Sequence, residues 1–301
     1  MSAQRISELS SEYSARVLHD VPMAKHTSWH VGGPADLFFA PRDVMDLAAF
    51  LRQLPPQVPL LWIGLGSNLL VRDGGIRGAV ISTHGALGAL ERLSATRIQA
   101  EAGVPCGRIA RQCVAWGMGP AEFFAGIPGT LGGALAMNAG AWGGSTWNHV
   151  IEVDVLDRRG IRHTRTQADY AVGYRTVNGP DDEWFIGARL EFRRAPGVNA
   201  QAIRELLDKR KQTQPIGEWS CGSVFTNPPG DHAARLIDSA GLKGFRIGDA
   251  SVSEKHANFI INHGNALAAD IEAVIEHVRD AVARVHGIAL TTEVRIVGEP
   301  A

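Results

Sequence analysis

Net charge, cysteine and long apolar runs are what this sequence has least of, and each shortage removes a class of function. Among 301 residues, 30 Lys and Arg face 31 Asp and Glu. That balance leaves no basic footprint for nucleic acid or for an acidic membrane surface. The three cysteines, Cys106, Cys113 and Cys221, are odd in number and lack C-x-x-C spacing. Neither a disulfide framework nor a zinc site is expected, and a reducing cytoplasm is the simplest setting. The N-terminal stretch mixes charge throughout without an apolar core, so no export leader is expected. Residues Phe123 to Ile151 carry no Asp, Glu, Lys or Arg, but glycines, Pro128, Asn138 and Asn148 interrupt them. No continuous apolar run of spanning length results, and no membrane partner is expected.

Familiar catalytic templates are missing too. There is no G-x-S-x-G elbow, no H-E-x-x-H and no G-x-x-x-x-G-K-[ST]. His26 and His30 stand four apart without a carboxylate partner, so no metal site is expected.

What is present is a soluble-type composition, 45% hydrophobic and 20% charged, long enough for two or three domains. Three zones separate. In the first, to about residue 80, Pro41–Leu54 has Val44, Leu47, Ala48 and Leu51 at helical spacing, and "VPLLWIG" and "GAVIST" read as buried strands. In the second, about 81–198, "RIQAEAG" is a strand and "CGRIARQCVAWG" a helix closed by Gly117. "VIEVDVLDRRGIRHTR" is a hairpin turning at Arg159-Gly160, and "WFIGARLEFRR" is a further strand. In the third, "NAQAIRELLDKRKQ" is a helix with Ile203, Leu206 and Leu207 inward. There, "ADIEAVIEHVRDAVARVHG" places Ile271, Val274, Ile275, Val278, Val282 and Val285 on one face and ends at Gly287. "HANFIINHG" and "TEVRIVG" are strands. Strands and helices intermix without regular alternation, which is an α+β class.

Much of the glycine, 34 residues in all, lies in two clusters. In "WIGLGSNLLVRDGG" (62–75), Gly64 and Gly66 open like a dinucleotide fingerprint, but the third glycine is missing and a strand follows instead of a helix. Two readings stay open on this loop alone: a plain turn, or an anion-binding nest of backbone N–H groups with Ser67 and Asn68. The second cluster, "EFFAGIPGTLGGALAMNAGAWGG" (122–144), packs Gly126, Gly129, Gly132 and Gly133 around Pro128 and Thr130. Ordered glycine is entropically costly, so this density suits a backbone lying close against a ligand.

With "TSWHVGGPAD" (27–36), "GYR" (173–175), "GSVFTNP" (222–228), "SEKHANFIIN" (253–262) and "TEVRIVG" (292–298), these clusters form seven motifs in order over nearly the whole chain. The two glycine clusters resemble the FAD-binding domain of the vanillyl-alcohol-oxidase type. The chain as a whole resembles the UDP-N-acetylenolpyruvoylglucosamine reductase family, in the shorter subclass without an inserted loop bearing a substrate-capping tyrosine. The resemblance implies a two-part FAD-binding region of vanillyl-alcohol-oxidase type and a C-terminal α/β substrate-binding domain. The expected boundaries are 1–80, 81–198 and 199–301, with the last strand, about 290–301, a candidate to pack back on the first part. It implies noncovalent FAD, held by Gly64, Gly66, Ser67, Asn68, Leu69, Gly126, Ile127, Pro128, Gly129, Thr130, Gly132, Gly133, Ala134, Asn138 and Gly140. NADPH is the expected reductant, and it visits the cleft that the sugar nucleotide UDP-N-acetylenolpyruvoylglucosamine later fills. A cytoplasmic monomer is expected.

The implied reaction reduces an enolpyruvyl C=C bond conjugated to a carboxylate. Hydride reaches the terminal vinyl carbon, an enolate-like dianion develops, and the adjacent carbon is protonated. That chemistry needs a cation at the carboxylate, an acid beside it and a proton donor over the carbon. The matching positions are Arg175, whose guanidinium can bind a carboxylate bidentately, Glu293 as acid or polariser, and Ser223 as proton donor. Tyr174, Asn227 and Lys255 are expected to contact substrate. Thr226, Val177 and Trp142 depart from the family pattern; Thr226 stands where a basic residue is common. The rival readings are another FAD oxidoreductase of the same fold, and a non-catalytic flavin- or nucleotide-sugar-binding protein.

Overall fold

The computed structural model describes residues 9–301; part of the N-terminal stretch read above for an export leader lies outside them. The chain divides into two compact units. The first comprises Leu37–Leu65 and Gly78–Asp208 with the residues up to His19; the second comprises Asp20–Asp36, Gly66–Arg77 and Lys209–Ala301.

In the first unit an antiparallel five-stranded sheet has the order Arg162–Thr166, Val150–Asp157, Glu183–Glu191, Arg97–Glu101, Leu90–Arg92. Its inner strands are apolar because one face is covered. Ile98, Val153, Val155, Ala188 and Leu190 pack against the helix Cys106–Ala115 and the short helix Leu131–Ala136. Cys106, Ile109, Ala110 and Cys113 form that helix's buried face, and Gly117 follows its end with φ +68°. The expected hairpin turns at Gly160, φ +68°, between paired strands. A second core of this unit surrounds the helix Val44–Gln53, where Phe39 and Phe50 stack 4.0 Å apart. Asp43 caps that helix, its carboxylate accepting the Asp46 N–H at 2.8 Å. The strands Leu60–Ile63 and Ile76–Ser82 pair in parallel, Leu60 opposite Ala79.

The second unit is assembled from three stretches of sequence. Its core gathers Trp29, Val31, Leu70, Val224, Phe225, Leu236 and Val252 with the long helix Ala268–His286. Five of the six residues read as that helix's inner face are buried. The exception is Val285, which is 56% exposed and lies in the last turn before the left-handed cap Gly287, φ +68°. Leu207, which belongs to the first unit, likewise differs from its reading: it is exposed on the helix Ala200–Thr213, where only Ile203 is buried. Leu207 stands one turn after Ile203 on the same side of the helix, yet it is 40% exposed. The strands Leu69–Val71 and Arg295–Val297 pair in parallel, Leu69 opposite Arg295. Among the described residues no helix is long and apolar enough to cross a membrane, and no group of His, Cys, Asp and Glu is placed to hold a metal ion.

Candidate active site

In the first unit the glycine loop 126–133 is tied down by three backbone bonds: Cys106 N–H to the Gly129 carbonyl, Leu131 N–H to Val104, and Gly132 N–H to Ala102, at 2.8–2.9 Å. These bonds bring Thr130 against Gly64. A Cβ built on Gly64 would stand 2.2 Å from the Thr130 hydroxyl oxygen, so only glycine lets the two clusters meet. The Thr130 side chain is buried, and its hydroxyl has no hydrogen-bond partner among the described residues. Gly133 is the opposite case: it is exposed, and a Cβ there would meet nothing of the chain. Internal packing therefore does not demand glycine at 133.

Arg175 lies in the same unit, at the tip of a hairpin whose strands are Ala171–Gly173 and Thr176–Asn178. Gly173 pairs with Thr176, which leaves Tyr174 and Arg175 as the two turn residues. Arg175 has φ +56°, a left-handed conformation that costs a non-glycine residue on the order of 1 kcal/mol. Its guanidinium Nη2 donates to the Gly140 carbonyl at 3.0 Å, and its Cζ lies 5.7 Å from the centroid of the exposed Tyr174 ring. Asn138 ties the hairpin to the glycine-rich segment from both ends of its amide. Its Nδ2 donates to the Gly173 carbonyl at 2.9 Å, and its Oδ1 accepts the Trp147 N–H at 3.1 Å.

The second unit holds Ser223, Asn227, Lys255 and Glu293, and with them Gly66, Ser67, Asn68 and Leu69. Gly222, φ +72°, turns the chain into the segment Ser223–Thr226. On one edge of that segment the Val224 carbonyl accepts the Glu293 N–H at 2.8 Å, and Thr226 N–H donates to Thr291 at 2.9 Å. Phe225 forms an antiparallel bridge with Thr292. Ser223 and Glu293, both half-buried, are thus carried on adjacent backbone segments. Asn68 joins them, donating from Nδ2 to the Glu293 carbonyl at 3.0 Å and accepting the Arg295 N–H at 3.1 Å. Gly66, φ +62°, leaves no space for a side chain, since a Cβ would stand 2.0 Å from the His26 carbonyl oxygen. The Cys221 thiol, donating to the Leu69 carbonyl at 3.5 Å, is pushed up to about 12 by burial, so it is a packed donor and not a nucleophile.

Two candidate substrate contacts have structural partners. Asn227 is exposed, and its Oδ1 accepts the Ala233 N–H at 3.0 Å, next to the start of the helix Ala233–Ser239. The Lys255 ammonium donates to the Lys211 carbonyl at 2.6 Å. Thr226, at a position of departure from the family pattern, donates its hydroxyl to the Thr291 carbonyl at 3.3 Å.

Sequence reasoning missed Asn258 and Asn262, each 4% exposed. Asn258 bonds the Phe225 backbone twice, accepting its N–H at 2.9 Å and donating to its carbonyl at 2.8 Å. Asn262 donates to the Trp29 carbonyl at 2.7 Å, while the Trp29 indole donates to Ile260. The available signal was the two amides themselves, four apart around the apolar "FII" run, because a buried amide must have partners.

Similarity to known proteins places the chain among the FAD-dependent oxidoreductases. Residues 35–165 match the FAD-binding domain model, and residues 214–297 match the model described as the C-terminal domain of UDP-N-acetylenolpyruvoylglucosamine reductase. The UDP-N-acetylenolpyruvoylglucosamine reductase of Alkalilimnicola ehrlichii is 60% identical over 282 residues, covering 93% of this chain and 94% of the relative. That of Methylococcus capsulatus is 55% identical over 285 residues, 94% and 93% of the two chains. The crystal structure of the Thermus caldophilus enzyme of this name superposes with TM-score 0.81 at 31% identity, covering 93% of this chain and 98% of that one. The chain belongs to the UDP-N-acetylenolpyruvoylglucosamine reductase family.

The residues present fit the family's cofactor. An unpartnered buried hydroxyl at Thr130 stands beside Gly64, and the exposed glycine at 133 answers to no neighbour within the chain.

Proposed function

We propose that this chain reduces the enolpyruvyl double bond of UDP-N-acetylenolpyruvoylglucosamine to give UDP-N-acetylmuramate, a peptidoglycan precursor, with FAD as cofactor and NADPH as reductant. Gly64, Gly126–Thr130, Gly132–Ala134, Asn138 and Gly140 in the first unit, and Gly66–Leu69 in the second, are the residues that would hold FAD. When bound, FAD would supply the hydride chemistry that links NADPH to the vinyl carbon of the substrate.

The chain's own part is electrostatic and protonic. Arg175 binds the substrate carboxylate, where negative charge grows as hydride arrives. Glu293 works on the same carboxylate as acid or polariser. The Ser223 hydroxyl gives its proton to the carbon next to that carboxylate. A serine is a weak acid, but an enolate carbon is a strong base, so the transfer needs fixed geometry more than a shifted pKa. Tyr174, Asn227 and Lys255 contact the substrate. NADPH and the sugar nucleotide use one cleft in turn, the protein acts as a monomer, and it works in the cytoplasm. The three zones 1–80, 81–198 and 199–301 are its working parts.

The observation that carries this reading is the backbone bonding of Val224 to Glu293, which carries the two proposed catalytic residues on adjacent backbone segments. The test mixes the flavoprotein with NADPH and UDP-N-acetylenolpyruvoylglucosamine and follows NADPH absorbance. Substrate-dependent oxidation is expected, with each substrate inhibiting competitively against the other at high concentration. Ser223→Ala should keep flavin reduction by NADPH and lose turnover by a factor of about 100 or more. Normal turnover by that variant would remove Ser223 from the role.

A further inference from the structure

We propose that Asn258 is a positioning residue for the Ser223 hydroxyl, acting through the backbone of Phe225. The inference rests on the reading of Ser223 as proton donor. The segment Val224–Thr226 has two edges. One is bonded to Thr291–Val294 by backbone hydrogen bonds around one antiparallel bridge. On the other edge one residue does the work of a strand. The Asn258 carboxamide offers an acceptor and a donor side by side, like a peptide group, and satisfies both polar groups of Phe225. The main-chain carbonyl of Asn258 accepts the Val224 N–H at 3.0 Å.

The place is dry: Val224 is 1%, Phe225 2% and Asn258 4% exposed. Water cannot replace the amide there, and a lost partner leaves a buried group unsatisfied. Asn258 is itself held, because its loop is closed by the Ser253 N–H bonding the Phe259 carbonyl at 2.9 Å. The Ser253 hydroxyl accepts the Lys255 N–H at 3.1 Å inside the same loop. Ser223 stands two residues before Phe225, after the left-handed Gly222. Any shift of the Phe225 peptide is therefore passed to the Ser223 hydroxyl, and proton transfer is sensitive to displacements of a fraction of an ångström. Aspartate at 258 would keep the shape and the acceptor but set a second acceptor against the Phe225 carbonyl. The reduction of flavin by NADPH does not use Ser223, so the two half-reactions separate this role from a general loss of packing.

The experiment uses stopped-flow on the holoenzyme. Asn258→Asp should slow reoxidation of the reduced flavin by UDP-N-acetylenolpyruvoylglucosamine at least about tenfold, while reduction by NADPH stays within about twofold. On a Ser223→Ala background the same substitution should cost no more than about twofold, because the group it positions is gone. Unchanged reoxidation, equal slowing of both half-reactions, or full additivity with Ser223→Ala would each overturn the proposal. If Asn258→Asp yields no folded flavoprotein, Asn258→Ser is read by the same three criteria. A wild-type enzyme that the substrate fails to reoxidise, or a Ser223→Ala variant that turns over normally, would instead bring down the functional reading beneath it.

Discussion

Ser223 and Arg175 are held in opposite ways. The Ser223 segment in the second unit is bonded on both edges, with an antiparallel bridge on one side and a single buried residue on the other. Arg175 in the first unit stands on a two-residue turn, in a left-handed conformation, with a side-chain bond to Gly140 and its hairpin tied by Asn138. A weak acid that must deliver a proton to one carbon needs a fixed place, and a two-edged mount supplies it. A cation that meets a carboxylate can act from a turn tip, since charge acts over a longer range than proton transfer. The left-handed strain at Arg175 remains, and such strain persists only where neighbours over-determine it.

That contrast can be broken at three places. The largest effect is expected at the cation itself: Arg175→Lys should lower kcat by about 100-fold with flavin reduction by NADPH preserved, because the ammonium loses the planar two-donor fork. Separate measurement of the two half-reactions checks it, and a loss confined to flavin reduction would place Arg175 elsewhere. A smaller effect is expected at the tie. Asn138→Ala should cut turnover about tenfold by releasing Gly173 and the hairpin behind Arg175, equivalent to about 1.4 kcal/mol. If flavin affinity falls while turnover of the loaded enzyme holds, Asn138 serves the cofactor alone, and its bond to Gly173 is without consequence for turnover.

The third is a stability effect confined to the first unit. Arg16, donating to both oxygens of Asp46, holds that carboxyl down to about 2 against its burial. A carboxyl lowered on folding adds stability above its unfolded value near 4, and that stability is lost as pH falls from about 4 towards 2. Its worth at neutral pH is about 2 kcal/mol. Asp46→Asn should lower thermal stability at pH 7 and flatten its fall on acidification. Parallel curves for wild type and variant would show that Asp46 is not the group responsible.

Local signals in the sequence marked the elements well where glycine or proline ended them. The helix before Gly117, the hairpin at Gly160 and the long helix before Gly287 follow the punctuation that was read. Burial at helix margins was less legible. Val285 and Leu207 satisfy the helical spacing yet are exposed, and periodicity carries no information about where a packing neighbour stops. The site divides similarly. Ser223, Arg175 and Glu293 stand out through motif order, but the Asn258 amide finds its partner 33 positions away and Asn138 finds Gly173 at 35. Such partners are invisible to any local pattern. The turn at Tyr174-Arg175 was hidden for another reason: neither residue is a turn former, so its sequence gives no sign of the conformation.

The parallel pairing of Leu69–Val71 with Arg295–Val297 bears on the order of synthesis. The Asn68–Glu293 bond beside it spans 225 positions. On the ribosome, the loop that helps frame Glu293 emerges long before its partner exists. The first unit's sheets can close while the chain is still growing, but the second unit must wait for its last strand. Until then Leu69–Val71 lacks the strand that pairs with it in the folded chain.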